Sequence, residues 1–277
     1  MLINNTNNKS SFSISLIPIP ITVISLLLTS TAFAQDNVYI NPDRPGIADG
    51  SKVIGARRFQ TEIGLQKEFR GSGSASEQSL FAPTLLRLGI GDKWEVRIES
   101  NTFTSQRISN PDNGANQNRG FAPISLGMKY QFLGLDDETQ PSLGAIVRIF
   151  PVSGSRDFRS QHTTGDVRLA ADWDISSQWS LNPNVGFASY EDDQNRRFTT
   201  GIMAVTLNYN PSKSLNFFID TGMQSHEREK GKLAAIFDVG VAYLPCRDIQ
   251  LDFSVGRGTK GTTPPRAFVS LGVSKMF

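Results

Sequence analysis

From about residue 57 to the C-terminus, apolar side chains return at every second position in run after run, the period of a strand with one oily and one polar face. The last run shows it plainly: Ala267, Val269, Leu271 and Val273 alternate with Phe268, Ser270, Gly272 and Ser274 before the chain ends on Phe277. Earlier runs start from Phe59, Leu80, Trp94, Ile124, Leu143, Val167, Trp179, Met203, Leu215, Leu233 and Ile249. That makes about twelve strands, each near the roughly ten residues that a tilted strand needs to cross a bilayer. The pattern predicts an all-β fold over residues 57–277, an antiparallel up-and-down transmembrane β-barrel.

The connections alternate in length. Tight turns are expected around 91–93, 176–178, 210–213 and 245–248, with a longer one at 133–141. The intervening connections, around 70–79, 105–119, 151–163, 190–196, 225–231 and 257–265, read as long polar loops. A membrane barrel sorts its loops this way, with short turns at the periplasmic end and long loops outside. Trp94, Tyr130, Phe132, Trp173, Trp179, Tyr209, Tyr243 and Phe277 all fall near the short turns or the C-terminus, which puts them at one height as an interfacial girdle.

Ahead of the strands, residues 1–34 read as a cleaved signal peptide: Lys9, an apolar stretch from Leu16 to Leu28, then Ala32-Phe33-Ala34 as a small-x-small cleavage site. No cysteine follows that site, so a lipoprotein is not expected. Residues 35–56 are polar and turn-rich around Asn41-Pro42-Asp43-Arg44-Pro45-Gly46, where two prolines and a glycine discourage helix and strand. This stretch is expected to be a periplasmic segment or a plug, with Arg44 reaching an inward aspartate of the barrel.

Mean hydropathy is −0.25, and no central run of apolar residues is long enough for a helical span. A barrel escapes that test because its strands alternate. A net charge of +2, or +1 without Lys9, gives no reason to expect a nucleic-acid partner. Cys246 is the single cysteine, which excludes an intramolecular disulfide or a cysteine metal cluster. No metal site or cofactor is read from the sequence.

Motifs for catalysis are sparse. Gly256-Arg257-Gly258-Thr259-Lys260-Gly261 has dinucleotide-fold spacing, but Thr262-Thr263-Pro264-Pro265 follows where a helix must begin, so a hairpin loop is expected. His162, near Ser160 and Asp166, is the basis of an alternative reading as an outer-membrane hydrolase; a structural or adhesive barrel is a third. The main reading assigns no catalytic residue.

The positions between the apolar ones carry Glu62, Arg87, Glu95, Arg97, Glu99, Lys129, Arg148, Asp166, Arg168, Asp172, Asp220, Asp238 and Asp252, among others. Facing lipid, each midplane Arg or Lys would cost roughly 2–4 kcal/mol, so these line a wet lumen. Arg44, Arg87, Arg97, Lys129, Arg148, Asp220, Asp238 and Asp252 are the candidate solute path, the bases on one wall and the aspartates on the other. A field across the gap is expected to favour dipolar solutes; the alternative is that the charges pair internally and only hold the lumen in shape. About twelve strands is wider than a barrel filled by its own side chains and narrower than a general porin, which implies a narrow conduit for small solutes.

The ending on Phe277 resembles the closing strand of bacterial outer-membrane barrels. The leader, Asp43-Arg44-Pro45-Gly46, Arg58-Phe59-Gln60-Thr61-Glu62-Ile63-Gly64 and Ser274-Lys275-Met276-Phe277 together resemble the bacterial outer-membrane family of transporters linked to the phenol meta-cleavage pathway. That resemblance implies outer-membrane lipid and the barrel-assembly machinery as partners, with Phe277 as assembly signal, and passive passage of small, including aromatic, solutes.

Overall fold

A computed structural model describes residues 39–72, 75–110, 114–134 and 140–277. The predicted signal peptide lies outside the described residues. The described residues form fifteen strand segments: β1 (Phe59–Ser72), β2 (Ala75–Phe81), β3 (Thr84–Gly89), β4 (Trp94–Ser100), β5 (Phe103–Asn110), β6 (Gly114–Phe121), β7 (Ile124–Leu133), β8 (Ser142–Phe150), β9 (Thr164–Asp174), β10 (Trp179–Glu191), β11 (Arg197–Ser212), β12 (Leu215–Gln224), β13 (Ala234–Cys246), β14 (Ile249–Lys260) and β15 (Ala267–Met276). Segments β2 and β3, β4 and β5, and β6 and β7 are the two halves of single staves. The wall therefore has twelve staves, all antiparallel to their neighbours, and β15 pairs back onto β1 to close it.

Pairing removes every edge through the closed part of the wall. At the seam, Gln60 faces Met276 and Phe69 faces Ala267. Below it Phe59 and Phe277 exchange backbone hydrogen bonds of 3.4 and 2.8 Å, and their rings lie 5.8 Å apart. The outward face is apolar and exposed, from Leu65 through Leu126, Leu169 and Ile219 to Leu271. At the short-turn end aromatic rings pair across strands on this face: Trp94 with Tyr130 at 4.3 Å and Trp179 with Tyr209 at 4.8 Å.

Three neighbouring staves break at one height. Two breaks fall at Ala82-Pro83 and Ala122-Pro123, where proline has no N–H to give the ladder. The third falls at Asn101-Thr102, with Thr102 at φ 40°. Pro83 O accepts from Gly64 N at 2.8 Å, Asn101 O from Ala82 N at 3.1 Å and Thr102 O from Ala122 N at 2.7 Å, so the breaks stay bonded. Across the last two breaks the inward face changes parity: Arg97 and Glu99 point in below, Thr104 points in above, and Phe103 points out. A one-residue bulge on each stave has this effect.

Above the breaks the structure differs from the sequence reading. The regions around 70–79 and 105–119, expected as loops, are occupied by the β1–β2 and β5–β6 hairpins. Their faces are polar on both sides, so no alternation announces them. Segment β6 pairs on one side only; on the other, Ser155 of the β8–β9 loop donates its N–H to Phe121 O at 2.9 Å and accepts from Phe121 N through its hydroxyl at 2.8 Å. Gly154, at φ 91°, makes that approach possible, since a Cβ there would meet Pro123 N at 2.9 Å. Similarly, β14 runs on to Lys260, so Gly256 and Gly258 belong to a strand and not to the hairpin loop expected for them.

Candidate functional site

Residues 40–56 run through the inside of the barrel without forming a strand or helix. Their backbone must still find partners, and the inward side chains of the wall supply them. Glu62 accepts from Arg44 N at 2.9 Å, Asn184 from Asp49 N at 2.9 Å, Asp172 from Ser51 N at 2.9 Å, Gln131 from Val53 N at 3.0 Å and Glu95 from Ile54 N at 3.1 Å. In return Arg87 donates to Asn41 O at 2.9 Å and Lys52 O at 3.1 Å. The wall thus takes the place of a neighbouring strand.

The segment's own charges complete the arrangement. Asp43 is paired with Arg97 at 2.6 Å, Lys129 at 3.1 Å and Arg87 at 3.8 Å. Asp49 is paired with Arg97 at 3.0 Å, Arg168 at 3.1 Å and Arg148 at 3.6 Å. Burial by itself would raise the Asp43 carboxyl, but Arg87, Lys129 and Arg97 outweigh it and hold the group well below the usual carboxylate range. The remaining capacity of the bases goes to the wall: Arg87 to Glu95 at 2.8 Å and Glu62 at 3.2 Å, Arg148 to Asp166 at 3.0 Å and Glu99 at 3.1 Å.

All the candidate path residues face the interior, and the basic wall, expected with Glu95 and Glu99 among its inward residues, is paired further by Asp43 and Asp49 of the segment. On the opposite wall the Arg44 guanidinium meets Asp252 at 3.0 Å, Ser270 Oγ at 3.0 Å and Leu271 O at 3.3 Å. It lies flat over the seam, where Gly64 and Gly272 leave it room; a Cβ on Gly64 would come within 2.5 Å of it. Asp220 accepts from the N–H groups of Ile47 and Ala48. Asp238 faces Asp220 directly across the β12–β13 ladder.

Two cavities lie on the β10–β13 side, where the segment does not fill the lumen. The outer one, about 340 Å³, sits toward the long loops between Ile47, Arg168, Asn184, Tyr190, Ile236 and Pro264. The inner one, about 700 Å³, opens toward the short turns and is lined by Gly46, Ala48, Thr206, Asn208, Asn216 and Gln250, among others. Asparagines bond across its wall, Asn208 to Asn182 at 2.6 Å and Asn216 to Asn208 at 3.2 Å. Between the cavities stands Gly46-Ile47-Ala48, held on Asp220. Gly222 gives Ile47 its seat, since a Cβ there would meet the Ile47 Cγ2 at 2.7 Å.

Pro264, over the outer cavity, belongs to a loop held by Glu227. That buried carboxylate accepts from Thr262 N at 2.6 Å, Thr263 N at 2.9 Å and both hydroxyls, at 2.9 and 3.1 Å. Burial works to raise the Glu227 carboxyl, and these four donors outweigh it and lower it.

Sequence reading gave Asp43, Asp49, Ile47, Asn184 and Glu227 no role. Asn184 was within reach, being at an inward position of a strand; the others sit in irregular segments whose partners are remote in sequence. The histidine alternative gains nothing from the geometry. The exposed His162 Nδ1 lies 3.5 Å from Glu191, while Asp166 is engaged by Arg148 and Arg168.

The chain matches the family described as "Putative MetA-pathway of phenol degradation" over residues 42–277, most of the interior segment and the whole barrel. The protein belongs to this family. No match was found among curated proteins. An outer membrane channel from Pseudomonas putida F1 has the same fold at a TM-score of 0.66, with 12% identity, covering 86% of this chain and 100% of that one. The β domain of the Bordetella autotransporter BrkA is similar at a TM-score of 0.51, with 10% identity and coverage of 79% and 98%. At such identities the family's fold is what these likenesses share: a closed barrel of the outer-membrane type.

Proposed function

We propose that the protein is an outer-membrane channel through which small solutes pass down their gradient, and that residues 40–56 are its plug. The observation that carries this reading is the pair of cavities stacked along β10–β13, parted by Gly46-Ile47-Ala48. A strap of three residues, held by two backbone N–H hydrogen bonds to one carboxylate and by packing on Gly222, is a small obstacle between two open volumes. Its anchors differ in strength. The Asp43 and Asp49 clusters fix the segment to the basic wall, while the strap side rests on Asp220.

In this reading residues 1–34 are the export signal, outer-membrane lipid covers the apolar outer face and Phe277 is recognised by the barrel-assembly machinery. The family's link to phenol degradation supports small aromatic molecules among the solutes. A ring and a substituent fit the outer cavity, since about 150 Å³ of apolar space already accepts benzene.

Single-channel conductance in planar bilayers tests the reading. Deleting residues 40–50 is expected to raise conductance severalfold, and Asp220→Ala, which frees only the strap, to raise it less. A deletion variant that folds, by heat-modifiable gel mobility, and conducts like the wild type would remove the plug from the proposal.

A further inference from the structure

The outward face is not apolar everywhere. Six consecutive strands, β14–β15–β1–β2–β5–β6, run across the seam, and their register fixes which residues share the outer surface. Val255, Val269, Lys67, Leu80, Ser105 and Arg119 follow one another across these strands as paired residues at one level. Two residues further toward the long loops, and so on the same face, come Arg257 on β14, Phe69 on β1 and Arg107 on β5. The three arginines are exposed, and Lys67 Nζ stands 5.1 Å from the centre of the Phe69 ring beside it. Arg107 and Arg119 are diagonal neighbours across β5–β6, about 7–8 Å apart. With strands about 4.8 Å apart and about 3.4 Å per residue along them, Lys67 lies about 12 Å from Arg107 on one side and from Arg257 on the other.

Charge is sorted between the two faces of these strands. Glu62, Glu68, Glu77 and Asp252 alternate to the interior, where Glu62 meets Arg87, Glu68 meets Arg70 and Asp252 meets Arg44. The outward positions of the six strands hold no carboxylate among the described residues, and no ion pair there reaches Lys67, Arg107, Arg119 or Arg257. On β7–β13 the outward charges toward the long loops are Glu191 and Arg197, which face each other across β10–β11. Bases that only marked the edge of a bilayer would be spread round the ring; these are gathered on one side of it.

Such a group calls for an anion, and its surroundings say of what kind. Toward the short turns the same strands present Leu65, Phe103, Phe121, Phe253 and Leu271 outward, so the partner has an apolar part beside its charge. Arginine offers phosphate a planar fork and lysine a point charge, and both lay their stems along apolar surface while the charged ends stay in the polar layer. A single phosphodiester engages one or two bases, so four spread over this width suit a head with more than one phosphate. We infer that Lys67, Arg107, Arg119 and Arg257 form a docking site, on the outer face beside the seam, for a glycolipid of the outer leaflet whose sugar head carries more than one phosphate. The inference rests on the outer-membrane reading and not on the solute path inside.

Binding of lipid A, a diglucosamine lipid with two phosphates, to the folded protein in neutral detergent at pH 7 tests it. A dye on the exposed Cys246, at the short-turn end, reports by thermophoresis without touching the patch. Wild type is expected to bind lipid A about tenfold more tightly than dephosphorylated lipid A, through charge-assisted contacts to the phosphates. Replacing Lys67, Arg107, Arg119 and Arg257 together by Gln is expected to abolish the difference, and Arg197→Gln, outside the patch, to leave it unchanged. If the fourfold variant does not fold, Arg119→Gln and Arg257→Gln, at the two ends of the patch, are each expected to reduce the preference severalfold. A wild type indifferent to the phosphates, variants that bind like wild type, or an equal loss in Arg197→Gln overturns the site. Phosphatidylglycerol competing as well as lipid A overturns the glycolipid assignment. Fractionation of the cell envelope separates the two readings: a protein found outside the outer membrane defeats the location, whereas loss of the phosphate preference in detergent defeats the site.

Discussion

Arg97 reaches four carboxylates, Asp43 at 2.6 Å, Asp49 at 3.0 Å, Glu99 at 3.1 Å and Glu95 at 3.6 Å. Two belong to the interior segment and two to its own strand, so a single guanidinium ties the segment to the wall. Its planar fork is what permits this, because separate N–H groups can serve Asp43 and Asp49 at once. Arg97→Met leaves those buried acids short of a partner, and breaking a buried pair from one side costs about 3–5 kcal/mol. The expected outcome is a lower urea midpoint together with higher single-channel conductance as the segment loosens. Arg97→Lys is expected to recover only part of both, since one ammonium cannot span the two acids.

Among the elements, the loops over the outer cavity carry the pH dependence. Glu227 joins the β12–β13 loop to Thr262 and Thr263 of the β14–β15 loop, and its carboxyl lies below its ordinary value in the folded protein. Such a group stabilises in full above its unfolded value of about 4.3, and its contribution is lost as pH falls through the folded value. Amide hydrogen exchange at residues 261–263, corrected for intrinsic rates, is therefore expected to stay slow from neutral pH to about pH 5 and to quicken below about pH 4; Glu227→Gln is expected to be fast throughout. The strands themselves were legible in the sequence wherever the outward face is apolar, as in Trp94-Val96-Ile98. Above the breaks in the wall that pattern ends, and β5 and β6 pair with each other while polar residues on both faces conceal them. Likewise Arg87, Arg97, Lys129 and Arg148 were legible as inward residues because facing is a local, period-two property. Part of what neutralises them, Glu62, Glu95, Glu99 and Asp166, was legible in the same way; Asp43 and Asp49 were not, because they lie on an irregular segment whose partners are set by docking across long stretches of chain.

For the whole molecule the barrel and its contents form one structure: the wall supplies hydrogen bonds to the segment, and the segment supplies counter-charge to the wall. Arg44 shows how the two depend on each other. It takes its contacts from Glu62 on β1, Asp252 on β14, and Ser270 and Leu271 on β15, the strands on either side of the seam. None of this set is complete until the last strand has met the first, so Arg44 can do little to speed closure. It must, however, be torn loose when the seam parts. Interactions that are absent from the transition state slow unfolding and leave folding nearly unchanged. Arg44→Ala is thus expected to shorten the lifetime of the folded barrel in denaturant while its refolding rate stays close to that of the wild type, both followed by gel mobility over time. A residue that precedes the first strand then serves as the clasp on the last, and sets how long the closed ring endures once it has formed.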